Sequence, residues 1–169
     1  MEIQRTVKEM CYRIDPEFKH KVLHVPGGET LKLCYQCGTC TATCPISRFT
    51  DIYRPNKIIH LAKLGIKNVF SDAVWFCVAC YSCTERCPQG VKVADVMRAL
   101  KNLAVKEGYC PTFAKGFATN ILNTGLAYSI PSSRITKRVT CGLPPLPQTN
   151  TEDLKILADI VEFSKLTNE

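Results

Sequence analysis

The sequence predicts a mainly α-helical chain built on a pseudo-twofold repeat, each half a cysteine loop followed by a helix, with a small hairpin near the N-terminus. Three observations predict it. Eight of the eleven cysteines fall in two runs of identical spacing, Cys34, Cys37, Cys40, Cys44 and Cys77, Cys80, Cys83, Cys87, each closed by a proline, Pro45 or Pro88. The segments after the runs carry apolar residues at the helical period rather than in alternation. Residues 34–64 and 77–107 therefore read as two copies of one unit, offset by 43 (77 − 34).

Residues 1–30 form a leader. Residues 1–14 suit a short helix, while 21–25 and 30–33 flank the turn residues Pro26, Gly27 and Gly28, which predicts the hairpin. After the first run, Pro55 suits the first helical position, Ile58, Ile59, Leu61, Ala62 and Leu64 give an apolar face, and Gly65 suits the C-cap. A further helical stretch from Ser71 through Trp75 leads into the second run. The next helix covers 93–106, with Val93, Val96, Met97, Leu100, Leu103 and Ala104 inward, Asp95 in its first turn and Gly108 as the stop. Another begins at Pro111 and ends near Gly125, with Phe113, Phe117, Ile121 and Leu122 on its apolar face. Residues 126–150 lack periodicity and contain Pro131, Pro144, Pro145 and Pro147, which reads as an extended arm or linker. A last helix starts at Asn150 or Thr151, with Glu152 and Asp153 in its first turn and Leu154, Leu157, Ile160, Val161 and Phe163 to bury.

The spacing C-x2-C-x2-C-x3-C-P is the bacterial ferredoxin signature for 4Fe-4S clusters, in which the fourth cysteine of each run ligates the cluster held by the other run's first three. The expected ligand sets are Cys34, Cys37, Cys40 and Cys87 for one cluster, and Cys77, Cys80, Cys83 and Cys44 for the second. A thiolate every third residue lets one tight loop wrap three iron corners, and the fourth ligand then comes from elsewhere. The proline after each fourth cysteine fixes φ and removes an amide donor, turning the chain away. Gly38 is expected to let the backbone approach an inorganic sulfide closely. Structural zinc sites use C-x2-C pairs a dozen or more residues apart, which these triplets do not resemble. A disulfide framework fits poorly with an odd number of cysteines. Helices of ten residues or more mark an α-helical ferredoxin rather than the β-rich kind. The implied domains are the leader 1–30, a di-cluster domain 31–125 and the arm with its helix, 126–169.

Charge and composition limit the function. The formal charge of +7 overstates the balance, because each oxidised cube with its four thiolates adds about −2. Residues 101–140 carry Lys101, Lys106, Lys115, Arg134, Lys137 and Arg138 against Glu107 alone, a docking surface for an acidic partner or a solvated face. No nucleic-acid motif accompanies these charges. Residues 1–15 do not read as a signal peptide, and no apolar run approaches the roughly 18 residues that span a bilayer. A soluble cytoplasmic protein without membrane or nucleic-acid partners is expected. His20 and His24 lack ligand partners at useful spacing, and His60 reads as a residue of the amphipathic helix near a cluster, the alternative being a hydrogen bond that modulates its potential. Cys11, Cys110 and Cys141 are expected to be reduced, mostly buried thiols. The sequence carries no catalytic triad, P-loop or dinucleotide fingerprint, hence no catalytic residues.

CYQCGTCTATCPIS from Cys34 and FCVACYSCTERCPQGV from Phe76, in a short chain, resemble the C subunit of the heterodisulfide reductases of methanogenic archaea, over roughly residues 25–125. Iron-sulfur subunits of succinate dehydrogenase share the cysteine pattern but carry a plant-type 2Fe-2S domain first, for which residues 1–33 offer Cys11 only. Fused relatives continue into CCG domains, and no adjacent cysteine pair occurs here. The resemblance implies a non-catalytic electron-transfer subunit of an oxidoreductase. It would relay electrons from the flavin-bearing A subunit through two 4Fe-4S clusters to the catalytic B subunit, which reduces the CoB–CoM heterodisulfide in methanogenesis, with a hydrogenase or formate dehydrogenase upstream. The alternative is a free-standing ferredoxin with two 4Fe-4S clusters, or the iron-sulfur subunit of another anaerobic dehydrogenase complex.

Overall fold

A computed structural model describes residues 14–70, 72–146 and 150–163, the Asn68 side chain aside. The chain divides into two compact units, Met1–Tyr109 and Cys110–Glu169. In the first, α1 (Pro16–His24) precedes a 3-10 turn, Glu29–Leu33. The first cysteine run contains the single-turn α2 (Thr39–Ala42), and a 3-10 turn, Ile46–Arg48, leads on to α3 (Pro55–Leu64). Two more 3-10 turns, Lys67–Phe70 and Asp72–Phe76, enter the second run, which contains α4 (Ser82–Glu85) and is followed by α5 (Val93–Lys106).

The repeat is visible in the core. Helices α1, α3 and α5 pack against one another, and α3 buries Ile58, Ile59 and Ala62 where α5 buries Val96, Met97 and Leu100. Each fully buried large side chain there contributes about 1.5–3 kcal/mol. Phe18 of α1 closes the base of this core, edge-on to Phe70 at 5.0 Å between centroids. Leu64, expected on the inner face of α3, is exposed. Its helix ends at Gly65, whose φ is +78°, and a Cβ there would stand 2.4 Å from the Asp15 carbonyl oxygen. Both facts demand glycine. The close approach exists because Asp15 N–H donates to the Gly65 carbonyl at 2.8 Å, beside the isolated antiparallel bridge of Ile14 with Ile66.

That bridge is the extent of β pairing among the described residues, and the expected hairpin over 21–33 does not form. Residues 21–24 complete α1 instead. Asp15 caps the helix by accepting from Phe18 N–H, Pro16 takes the first helical position, and Phe18 and Val22, four apart, are both buried. Asp–Pro followed by an i, i+4 apolar pair outweighs the β-rich look of the downstream residues. Beyond Gly28 the chain enters the 3-10 turn that buries Leu31. The stretch expected to be helical from Ser71 to Trp75 is a 3-10 turn from Asp72 to Phe76. The helix expected over 1–14 lies outside the described residues except for Ile14.

The second unit holds α6 (Thr112–Thr124), α7 (Ser132–Thr140) and α8 (Thr151–Ile160). Helix α6 ends at Gly125 as expected and packs on α8, burying Ala118, Leu122 and Ala158. Asn150 caps α8, accepting from Glu152 N–H at 3.0 Å. The arm expected over 126–150 contains α7. Proline is tolerated just before the first helical position, so Pro131 opens this helix instead of excluding one. Of the apolar residues expected to be buried, Phe113, Leu157, Ile160 and Val161 are exposed, Phe117, Ile121, Leu154 and Phe163 are half-buried and Leu122 is buried, while α7, a helix the sequence does not predict, buries no residue. Cys141, which caps α7, is exposed and not buried as expected, because the helix it ends has no covered face. Among the described residues no helix is long and apolar enough to cross a membrane.

Candidate metal centres

The two cysteine loops share one backbone trace. In the first, Gln36 and Gly38 take φ of +67° and +81°; in the second, Ala79 and Tyr81 take +50° and +61° at the matching positions. Left-handed residues flanking a cysteine on both sides wind successive N–H groups into a nest suited to an anionic centre. A Cβ on Gly38 would meet no protein atom within 4 Å. Among protein atoms it is therefore the positive φ, and not a close contact, that favours glycine here. Each loop then closes with a short helix that brings in the third cysteine.

A threonine in each loop caps the long helix that comes after it. Asn56 N–H donates to Thr41 Oγ1 at 2.9 Å, and Ala94 N–H donates to Thr84 Oγ1 at 3.0 Å. Each donating residue is the second of its helix, where N–H groups lack intrahelical partners. At the other side of each loop, a lysine from the same long helix reaches the first cysteine. Lys63 donates to the Cys34 carbonyl and Lys101 to the Cys77 carbonyl, the latter at 2.9 Å. The sequence reading does not single out Thr41, Thr84 or Lys63 and places Lys101 only in the basic stretch 101–140, although Thr41 and Thr84 keep the 43-residue offset of the cysteines.

The eight cysteines surround two cavities. One, with about 360 Å³ of empty space partly open to solvent, is lined by Cys34, Cys37, Cys40 and Cys87, with Ile59, Val91 and Val93 among its walls. The other, about 290 Å³, is lined by Cys44, Cys77, Cys80 and Cys83, with Ile46, Tyr53 and Ala94. Each cavity thus joins three cysteines of one run to the fourth of the other. Four thiolates around one zinc would lie about 3.8 Å apart, given Zn–S bonds near 2.3 Å. No group of three or more His, Cys, Asp or Glu side chains among the described residues is gathered closely enough for one metal ion. Soft thiolates ringing an apolar cavity fit a larger polynuclear group.

The electrostatics run in parallel in the two sites. The Thr39 hydroxyl, 3.3 Å from Cys37 Sγ, and the Thr39 N–H hold the Cys37 thiol below its ordinary value. The Ser82 N–H and hydroxyl do the same for Cys80. Both are exposed. The third cysteines behave oppositely: burial pushes Cys40 and Cys83 up to about 11 each, with neighbouring cysteine charges adding to the rise. A buried thiol of this kind ionises readily only when a cationic group joins it. Gln36 Nε2 donates to Cys34 Sγ and Val91 N–H to Cys87 Sγ, each at 3.3 Å. Tyr53 is fully buried, and its hydroxyl is pushed far up by burial and then by the charge of Cys77.

The remaining candidates stand apart. His24 Nδ1 lies 2.7 Å from the His20 carbonyl, and His60 is exposed on α3 outside both cavity linings. Cys110 is partly buried, and Cys11 lies outside the described residues.

Known proteins match this sequence. Residues 30–91 match the family described as a 4Fe-4S dicluster domain, which spans both cysteine runs and identifies an iron-sulfur protein. The C subunit of the H2:CoB–CoM heterodisulfide, ferredoxin reductase of Methanothermobacter thermautotrophicus is 38% identical over 156 residues, covering 91% of this chain and 83% of that protein. The C2 subunit of the H2/formate:CoB–CoM heterodisulfide, ferredoxin reductase of Methanococcus maripaludis is 40% identical, covering 84% and 82%. The C subunit of the ferredoxin:CoB–CoM heterodisulfide reductase of Methanosarcina mazei is 35% identical, covering 88% and 96%.

Proposed function

The chain belongs to the family of heterodisulfide reductase C subunits, and from that premise we propose that it relays electrons between two other subunits of a cytoplasmic CoB–CoM heterodisulfide reductase complex. The donor would be the flavin-bearing A subunit and the acceptor the catalytic B subunit, with a hydrogenase or formate dehydrogenase upstream. Two 4Fe-4S clusters, when bound, supply sites that each hold and release one electron. Cys34, Cys37, Cys40 and Cys87 would hold one, and Cys44, Cys77, Cys80 and Cys83 the other. The observation that carries this reading is the sharing of each cavity between three cysteines of one run and the fourth of the other.

The protein's own residues do three things on this reading. Thr41 and Thr84 anchor the loops to α3 and α5, so the thiolates keep their positions whatever the oxidation state. Ile59, Val91 and Val93 in one cavity, and Ile46, Tyr53 and Ala94 in the other, exclude water and limit reorganisation. Exposed Cys37 and Cys80 bring one edge of each site to the surface, next to exposed Tyr35 and Val78, where a partner's centre can approach. A freely diffusing carrier has no use for the open apolar face of α8, with Leu157 and Ile160 exposed. This favours a fixed subunit over a free-standing ferredoxin.

Anaerobic co-purification tests the reading, combined with iron analysis and EPR of the reduced sample. The expected result is a complex with flavin-bearing and catalytic partners, and about eight iron atoms on this chain. Recovery of the chain alone as a monodisperse active carrier contradicts the subunit role, and zinc without iron contradicts the whole reading.

A further inference from the structure

Lys63 and Lys101 occupy equivalent turns of the two long helices, each eight positions after the first helical residue (63 − 55 and 101 − 93). Each ammonium reaches back 29 or 24 residues in sequence to the carbonyl of the first cysteine in its own run. Ordering a lysine stem costs side-chain entropy, and one hydrogen bond to a neutral carbonyl is a modest return. That the same reach occurs twice, at matched positions, points to the charge itself as the useful element. Lys101 is half-buried and also lies 5.6 Å from the centroid of the Trp75 ring, so its charge sits where water screens it poorly.

We propose that Lys63 and Lys101 are paired positioning residues, each holding a fixed positive charge beside the cavity that contains its own run's first cysteine and raising the electron affinity of the centre bound there. The proposal rests on the reading of the two cysteine sets as cluster ligands. Taking up one electron, with no bond formed or broken, carries such a site from about −2 to about −3 overall. A nearby cation favours the more negative state. A unit charge on the order of 10 Å from the centre, at an effective dielectric of about 20, amounts to about a tenfold bias.

The test is a dithionite titration, followed by EPR, of the full-length holoprotein purified anaerobically. Lys101→Gln is expected to weaken electron uptake about tenfold, 59 mV for a one-electron couple. The change should be confined to the centre whose signal Cys77→Ser disturbs. Lys63→Gln is expected to act in the same direction on the other centre, and Lys101→Arg, which keeps the charge, to retain the wild-type potential. Unchanged potentials in a loaded Lys101→Gln protein, or equal shifts of both centres in each variant, overturn the proposal. Should Lys101→Gln lose its centre, the arginine variant decides: a loaded centre at wild-type potential supports the charge role, and its loss as well assigns Lys101 to packing. Wild-type iron content separates the two levels. With about eight irons bound, these outcomes bear on the lysines alone; without iron, the ligand reading fails and the proposal with it.

Discussion

The two copies of the loop-and-helix unit agree closely where they face the cavities and differ where they do not. The cysteines and the capping threonines keep an offset of 43 residues, whereas α5 begins only 38 after α3 (93 − 55). The first copy has residues 45–54 between its fourth cysteine and its helix, and the second has 88–92. The longer connection holds the 3-10 turn Ile46–Arg48 and buried Tyr53, and both Ile46 and Tyr53 line the cavity that holds the second run's first three cysteines. The shorter one delivers Gln89 and Val91 to the opposite cavity. Each connection thus furnishes the other copy's site, just as each fourth cysteine does. Loop geometry is held fixed while the residue types vary: Gln36, Gly38, Ala79 and Tyr81 share a left-handed conformation that costs about 1–3 kcal/mol for the non-glycine members. Such a cost persists only where the surroundings over-determine the backbone.

The largest expected break in this symmetry is at the core position where the copies differ in size. Leu100 stands where α3 has Ala62, and both are fully buried. Leu100→Ala should lower stability by about 2–5 kcal/mol in anaerobic chemical denaturation. Ile59→Ala and Met97→Ala, at the matched and equally buried positions, should fall in that range together.

Next come the helix caps. Thr41→Val and Thr84→Val should each cost about 1 kcal/mol, with Thr41 the more sensitive. Its hydroxyl accepts from Asn56 N–H and donates to Asn56 Oδ1 at 2.6 Å. Equal losses would show that the second bond contributes nothing. The left-handed pair gives a smaller contrast. Gly38→Ala should destabilise by about 1 kcal/mol, because alanine disfavours positive φ. Tyr81→Gly should be close to neutral: it relieves the same strain but removes a hydroxyl that donates to Asp95 Oδ1 at 3.1 Å and accepts from Arg98 at 3.3 Å.

The smallest effect concerns the surface charges that join the ends of the two long helices. Lys67 lies 3.3 Å from both Asp15, which meets the end of α3, and Glu107, which caps α5. Hydrogen bonding to Phe18 N–H and then to Lys67 holds the Asp15 carboxyl below its ordinary value of 3.8. A depressed carboxylate contributes stability above its unfolded value and loses it as pH falls through the folded one. Asp15→Asn, which keeps a capping oxygen but loses the charge facing Lys67, should therefore lower neutral stability slightly and flatten the pH dependence below about 4 by the same small amount.

Much of this architecture is legible in the sequence because its signals are local. Pro55 and Gly65 bound α3 to the residue, Gly125 ends α6, and the cysteine runs lie in the two cavities by the crossed grouping that their spacing implies. The misreadings have physical causes. Over 21–33 the turn residues Pro26 to Gly28 suggest a hairpin, while the stronger signal, the Asp15–Pro16 helix start, lies just upstream. Pro131 reads as a breaker or as a helix opener depending on the residues after it. The Thr41, Thr84, Lys63 and Lys101 contacts join residues 10 to 29 apart through space, which no local pattern records. In the second unit, periodicity locates α6 and α8 but not α7, and whether the faces of α7 and α8 are covered depends on their neighbours rather than on their own sequence.

The crossed sharing of the two sites is the central claim, and substituting one fourth cysteine tests it most directly. In anaerobically purified protein, the EPR signal lost in Cys87→Ser should be the signal lost in Cys40→Ser, with the other centre intact, and Cys44→Ser should pair in the same way with Cys83→Ser. If Cys87→Ser instead abolishes the centre that depends on Cys83, each run holds its own cluster and the crossed account is wrong.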